Sequence, residues 1–181
     1  MSIQSPSEVM SLLAEIERNA RASALGLPQN EQHAEIWDGL AFSVAGVRVV
    51  SSMREVSEML PYPDEISSVP GSKNWMLGLA NVRGNLLPVT DLQAFLGSKP
   101  VSRSKSSRML VVRLRGVVSG LLVPSVHGMR HFDLSTRMRN VRIKGSLGGY
   151  VFDAFRVEKQ AWPVFSMNAL MADPTFRSAA A

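Results

Sequence analysis

From Trp37 onward the chain is written in short apolar runs separated by turn-forming dipeptides, and this punctuation limits what it can fold into more than any other feature. Leu40, Phe42 and Val44 alternate with small or polar neighbours, Ala45-Gly46 offers a turn, and Val47-Arg48-Val49-Val50 follows. Alternation of period two puts successive side chains on opposite faces of an extended chain, so these residues predict two paired strands. Met109 to Leu114 and Val117 to Val126 read the same way around Arg115-Gly116, with Gly120 marking a bend or a close backbone approach. Tyr150 to Val157 and Trp162 to Met167 give two further strands, closed by a turn at Asn168 to Met171. Pro61, Pro63, Pro70 and Gly71 punctuate an extended loop. Short strands at regular spacing, split into two halves by the polar segment 97–107, predict paired small barrels rather than one sandwich.

Ahead of this β region the texture is helical. Ser5-Pro6-Ser7-Glu8 has capping-box spacing, and Val9, Leu12, Leu13, Ile16 and Ala20 recur at three and four until Gly26 and Pro28. The pattern predicts an amphipathic helix of about five turns. The polar, aperiodic residues after Pro28 read as a linker, so the helix is an appendage.

Composition removes whole classes of chemistry. The chain has no cysteine, which excludes disulfides, thiolate metal sites and thiol nucleophiles. Its longest apolar stretch, Gly116 to Val123, is too short to cross a bilayer, and the N-terminus lacks a secretory pattern, so a cytoplasmic location is expected. The net charge of +5 divides unevenly: residues 1–100 carry a balance of −4 and residues 101–181 a balance of +9. Nucleic-acid binding by OB-like barrels is therefore an alternative reading. It lacks stacking groups, because between 101 and 149 the aromatic side chains are only Phe132, His127 and His131. A solvated basic face, or one that meets an acidic protein, fits better.

No catalytic, metal or cofactor site emerges. His127 and His131 lie four apart but on a strand-and-turn stretch with Arg130 between them, which opposes cation binding. Asp91 is placed to cap a short helix from Leu92 to Leu96. Gly145-Ser146-Leu147-Gly148-Gly149 lacks the lysine of a phosphate loop, and no nucleophile elbow surrounds Ser125 or Ser166. What stands out is Arg83, set beside Gly84-Asn85 in the chemistry of a tight hairpin turn. A stiff turn would present its permanently charged, planar fork to a partner.

The segment from Gly78 to Leu92, GLANVRGNLLPVTDL, resembles the signature of CheW-like chemotaxis coupling domains, Gly-(x)2-Asn-(apolar)-Arg-Gly-(x)3-Pro-Val-x-Asp-Leu. Met109 to Val112 and Gly120 to Val126 resemble the family's second strand pair, and with Trp75 and the N-terminal helix the chain is most similar to members from type IV pilus twitching-motility systems. The resemblance implies a mainly β fold of two five-stranded barrels of SH3/OB type over 36–172; outside that domain the residue patterns give an α-helical extension over 1–30, a linker over 31–35 and a tail over 173–181. It implies an adaptor without enzymatic activity or cofactor, coupling the cytoplasmic tip of a methyl-accepting chemoreceptor to the regulatory domain of a CheA-like histidine kinase, recruited to membrane-bound receptor arrays without entering the membrane. Carried over by position, Arg83, with Asn81, Val82, Gly84 and Asn85 shaping its hairpin, contacts the receptor, and Asp91 is a structural cap. The sequence departs from the family pattern at Pro124, where an aspartate is usual, at Phe165-Ser166 and at Asn74. Pro124 has no amide hydrogen, so a strand containing it is expected at a sheet edge.

Overall fold

The computed structural model describes residues 35–179; the helix expected over 1–30 and the linker as far as residue 34 lie outside them. Among these residues, eleven strands form two curled sheets. One contains β1 (Ile36–Val44), β2 (Val47–Ser52), β8 (Ser125–Asp133), β9 (Arg137–Arg139), β10 (Val151–Val157) and β11 (Gln160–Phe165), in the order β8-β1-β2-β11-β10-β9. The other contains β3 (Glu58–Pro61), β4 (Met76–Val82), β5 (Asn85–Asp91), β6 (Arg108–Leu114) and β7 (Val117–Val123), in the order β3-β6-β7-β5-β4. Helix α1 (Leu92–Phe95) follows β5, and α2 (Met167–Ala172) and α3 (Pro174–Arg177) follow β11.

Three packing centres explain why so many strands are apolar on both faces. Along β1, Leu40, Phe42 and Val44 join one cluster while Ala41 joins another; along β6, Leu110 and Val112 separate in the same way from Met109 and Val111. The first cluster draws buried residues from both sheets and from α2, so it is a shared core between them. The other two fill the individual barrels: Phe132, Phe155 and Trp162 in the six-stranded one, Leu87, Val89 and Met109 in the five-stranded one. Phe42, Phe155 and Phe165 are fully buried, each contributing about 1.5–3 kcal/mol of transfer free energy.

Several expectations need correction. The two sheets do not correspond to the two halves of the chain. β1 and β2 pair with strands from the C-terminal half, through β1–β8 and the parallel β2–β11 contact, and segment 97–107 connects β5 to β6 within one sheet. One sheet has six strands rather than five because the three-residue β9 adds to β10. The long strand expected through Val126 is two strands, and Pro124 sits between them, where the chain leaves one sheet for the other. No strand has to accommodate a missing amide hydrogen there. Gly120 makes a close approach, but to side chains rather than to backbone: a Cβ would stand 2.5 Å from Met109 Sδ. Residues 173–179, read as part of a tail, include α3, whose Phe176 is buried and stacks on Trp75 at 5.9 Å and 9°.

Candidate functional site

β4 and β5 pair antiparallel from Met76↔Thr90 to Val82↔Asn85, which leaves Arg83 and Gly84 as the two central residues of the turn. Both have positive φ, 52° and 84°, as a turn matched to the twist of its strands requires. The turn thus falls one residue earlier than the Gly84-Asn85 position read from the sequence. Asn81 stabilises it by accepting a hydrogen bond from the Gly84 amide on Oδ1 at 2.9 Å. Positive φ does not single out Arg83, because Ala45 and Arg115 hold the same conformation before glycine in two other hairpins.

What distinguishes Arg83 is its surroundings. Its side chain is 76% exposed, and Nη2 lies 2.6 Å from Oε1 of Glu58 on β3. That oxygen is buried and, among the described residues, has no hydrogen-bonded partner, so the contact is an attraction between charges without hydrogen-bond geometry. An ion pair this open to solvent contributes about 0–1 kcal/mol. The guanidinium is thus lightly held.

The hairpin tip divides two grooves. On one side a groove of about 370 Å³ is lined by Leu60, Tyr62, Val82 and Met109, with Asp64 and Glu65 at its rim. Arg103 holds two of these residues, its guanidinium lying over the Tyr62 ring at 5.6 Å and donating to Asp64 Oδ1 at 2.6 Å. On the other side a groove of about 230 Å³ has Val82, Leu87, Val111 and Val118 as its walls and Glu58 and Arg113 beside them. The loop before β4 is tied to the hairpin by two backbone bonds, Ser67 N to Leu79 O and Leu79 N to Ser67 O, each 2.8 Å.

The expected site residues therefore meet different fates. Asn81, Arg83, Gly84 and Asn85 are exposed at the tip, while Val82 is half-buried and faces both grooves. Asp91 lies at the far end of β5, 1% exposed, where Oδ1 accepts from Ala94 N at 2.9 Å and Oδ2 from Val101 N at 2.7 Å. Its carboxylate starts α1 and fixes the segment leading to β6. Sequence reasoning missed Glu58, Leu86 and Arg113. No local signal marks Glu58 or Arg113, because only closure of the five-stranded sheet brings β3 and β6 beside the β4–β5 tip.

Elsewhere, polar side chains serve the fold. His131 Nδ1 lies 2.6 Å from Asp38 Oδ1 and His127 Nε2 lies 2.7 Å from Ser43 Oγ, each across β1–β8. Among the described residues no three His, Asp or Glu side chains gather as metal ligands would. The Tyr150 hydroxyl donates to Asp173, which holds that carboxyl below its usual range, while burial and the neighbouring carboxylate push the phenol up. Burial pushes the Glu55 carboxyl up although it accepts from the Met167 amide at 2.9 Å. Phe132, Phe155 and Trp162 point inward and leave no row of exposed rings on the described surface.

Fold and site together define a module of two packed β-sheets that carries an exposed, charged hairpin tip. Residues 38–175 match the CheW-like domain family, and the chain belongs to that family. It is 39% identical over 160 residues to Protein PilI of Pseudomonas aeruginosa, which spans 88% of this chain and 89% of that protein. It is 30% identical over 107 residues to Chemotaxis protein CheW of Helicobacter pylori, across 59% of this chain and 63% of the other. The crystal structure of the scaffolding protein TtCheW from Thermoanaerobacter tengcongensis superposes with a TM-score of 0.65 at 22% identity, over 73% of this chain and 90% of that one, and has the same fold. The family resemblance read from GLANVRGNLLPVTDL thus holds, and the likeness to PilI accords with the narrower resemblance read with Trp75 and the N-terminal helix.

Proposed function

We propose that this protein is a non-enzymatic cytoplasmic adaptor that couples a methyl-accepting chemoreceptor to a CheA-like histidine kinase, in a pathway controlling type IV pilus twitching motility. The likeness to PilI over most of both chains supports the pathway, and membership of the CheW-like family supports the adaptor role. The observation that carries the site is Arg83: a charged fork on a stiff two-residue turn, 76% exposed and lightly held by Glu58. A rigid body contacting two partners transmits a signal when its binding free energy differs between receptor states, without any covalent step.

Replacing Arg83 by glutamate reverses the charge at the tip and buries nothing new. The Arg83→Glu variant keeps the wild-type circular dichroism spectrum and loses at least about tenfold in affinity for the receptor's cytoplasmic tip in titration calorimetry, as removal of a charged contact at an interface does. Equal affinity of the two proteins refutes the site.

A further inference from the structure

The six-stranded sheet curls around a pocket of about 240 Å³, built from β1, β9, β10, β11 and the loop after β2. The mouth of a barrel is a common place for a small ligand. The apolar walls are Trp37 and Val164, both half-buried, and Phe152, which is 52% exposed. The indole is fixed in place: it lies over Gly39, where a Cβ would stand 2.3 Å from its Cζ3, and its ring is 4.9 Å from that of Phe155. Three charged groups complete the lining, Arg137, Asp153 and Glu55. Arg137 and Asp153 form an ion pair with side chains 29% and 21% exposed, in which Nε, at 3.1 Å, and Nη2 both donate to one oxygen, Oδ2. Among the described residues, Arg137 Nη1 and Asp153 Oδ1 are left without a hydrogen-bonding partner. Glu55 accepts from the Met167 amide, but no cation of the described residues pairs with it, so the cost of burying its charge is only partly offset.

We infer that this pocket binds a small zwitterion, an α-amino acid with an apolar side chain. The ligand's carboxylate takes the spare Nη1 donors of Arg137, its ammonium is held by Asp153 Oδ1 and Glu55, and its side chain lies against Trp37 and Phe152. Charge decides between this ligand and simpler ones. Two carboxylates and one guanidinium give the lining a net negative charge, which repels an anion. A cation alone answers the carboxylates and leaves the guanidinium donors unused. A ligand carrying both charges satisfies all three groups. The pocket belongs to the six-stranded sheet and the Arg83 hairpin to the other, so this inference stands or falls apart from the receptor reading.

The test titrates the isotope-labelled full chain with L-leucine and L-phenylalanine in amide NMR, and beside them with isoamylamine and isocaproate, which are leucine without its carboxylate and without its ammonium. Saturable shifts are expected at the Trp37 indole and at the amides of β9 and β10 for one or both amino acids, and leucine or phenylalanine should bind at least about tenfold more tightly than either fragment. Arg137→Lys, Glu55→Gln and Phe152→Ser are each expected to weaken that binding about tenfold. Phe152→Ser changes an exposed side chain, so it decides if either of the other variants misfolds. A fragment bound as tightly as the amino acids overturns the inference in favour of a site for a single charge. Absence of saturable shifts with both amino acids, shifts centred on the β4–β5 hairpin, or wild-type affinity in Phe152→Ser overturns it outright.

Discussion

Gly78 is the residue whose replacement tests the packing of the site most directly. It lies in β4 with φ +138°, and a Cβ added there would stand 2.0 Å from the carbonyl oxygen of Ser67 and 2.7 Å from its carbonyl carbon. Ordinary van der Waals contact begins near 3.4 Å, so the Ser67 backbone must retreat by more than an ångström. That retreat breaks both Ser67–Leu79 hydrogen bonds, at about 1 kcal/mol each. The backbone conformation itself costs an L-residue about 1–3 kcal/mol. Gly78→Ala should therefore destabilise the domain by about 3–5 kcal/mol, a large part of the roughly 5–15 kcal/mol by which domains are stable. With a urea m-value of about 2 kcal/mol/M, the unfolding midpoint falls by about 2 M. Gly46→Ala is the control. Its φ is also positive, at +76°, but its Cβ would meet nothing within 4 Å, so only the backbone term applies, about 1 kcal/mol. A midpoint shift in Gly78→Ala no larger than in Gly46→Ala would show that the steric argument is wrong.

Three further outcomes follow from buried groups. Trp75→Ala removes a ring stacked on Phe176 and edge-on to Phe95, 8% exposed, and should cost about 3–5 kcal/mol, read as a lowered urea midpoint together with loosened amide protection in α3. Asp91→Ala strands the Ala94 and Val101 amides and should cost about 2–4 kcal/mol; unchanged stability would mean that water or a neighbour replaces the carboxylate. Tyr150→Phe should destabilise by about 1 kcal/mol at neutral pH, since the pair with Asp173 is partly exposed. Its pH profile carries the sign. The lowered Asp173 contributes stability above its ordinary value of 3.8 that is lost as pH falls through its folded value, and the raised Tyr150 contributes stability below 10 that is lost as pH climbs past it. The gap in thermal midpoint between wild type and Tyr150→Phe should thus be level between those limits and narrow only beyond them, and a gap unchanged at about pH 2 and about pH 11 would contradict the pairing.

Local structure was legible wherever it depended on neighbours in the chain. The turns at Ala45-Gly46 and Arg115-Gly116, the strand runs around them and the Asp91 position ahead of Leu92 all follow from side-chain period and turn chemistry. The hairpin register was misread by one residue because Gly84 and Asn85 both suit positive φ, and only pairing of Val82 with Asn85 decides between Arg83-Gly84 and Gly84-Asn85. Non-local pairing was not legible at all. β2 meets β11 at Val164↔Val50, and nothing in either strand announces the other. The apparent separation of charge between the chain's halves went with it, because the fold interleaves acidic and basic stretches in both sheets.

Interleaving also separates two kinds of content within the GLANVRGNLLPVTDL motif. Gly78 admits the Ser67 carbonyl, Asn81 closes the turn through the Gly84 amide, and Asp91 caps α1 and holds Val101; each of these residues is required by the fold whether or not a partner exists. Arg83 answers to no such need. Among the described residues its guanidinium closes no backbone bond, fills no core and meets only a carboxylate to which it is not hydrogen-bonded. Glycine would serve the same turn at lower conformational cost, since φ near 52° disfavours any side chain. Arg83→Gly should therefore hold or raise stability while removing the charge. A loss of stability greater than about 1 kcal/mol in that variant would move Arg83 from the binding surface into the scaffold, and the distinction between the two kinds of residue would fail at the one position where it matters for function.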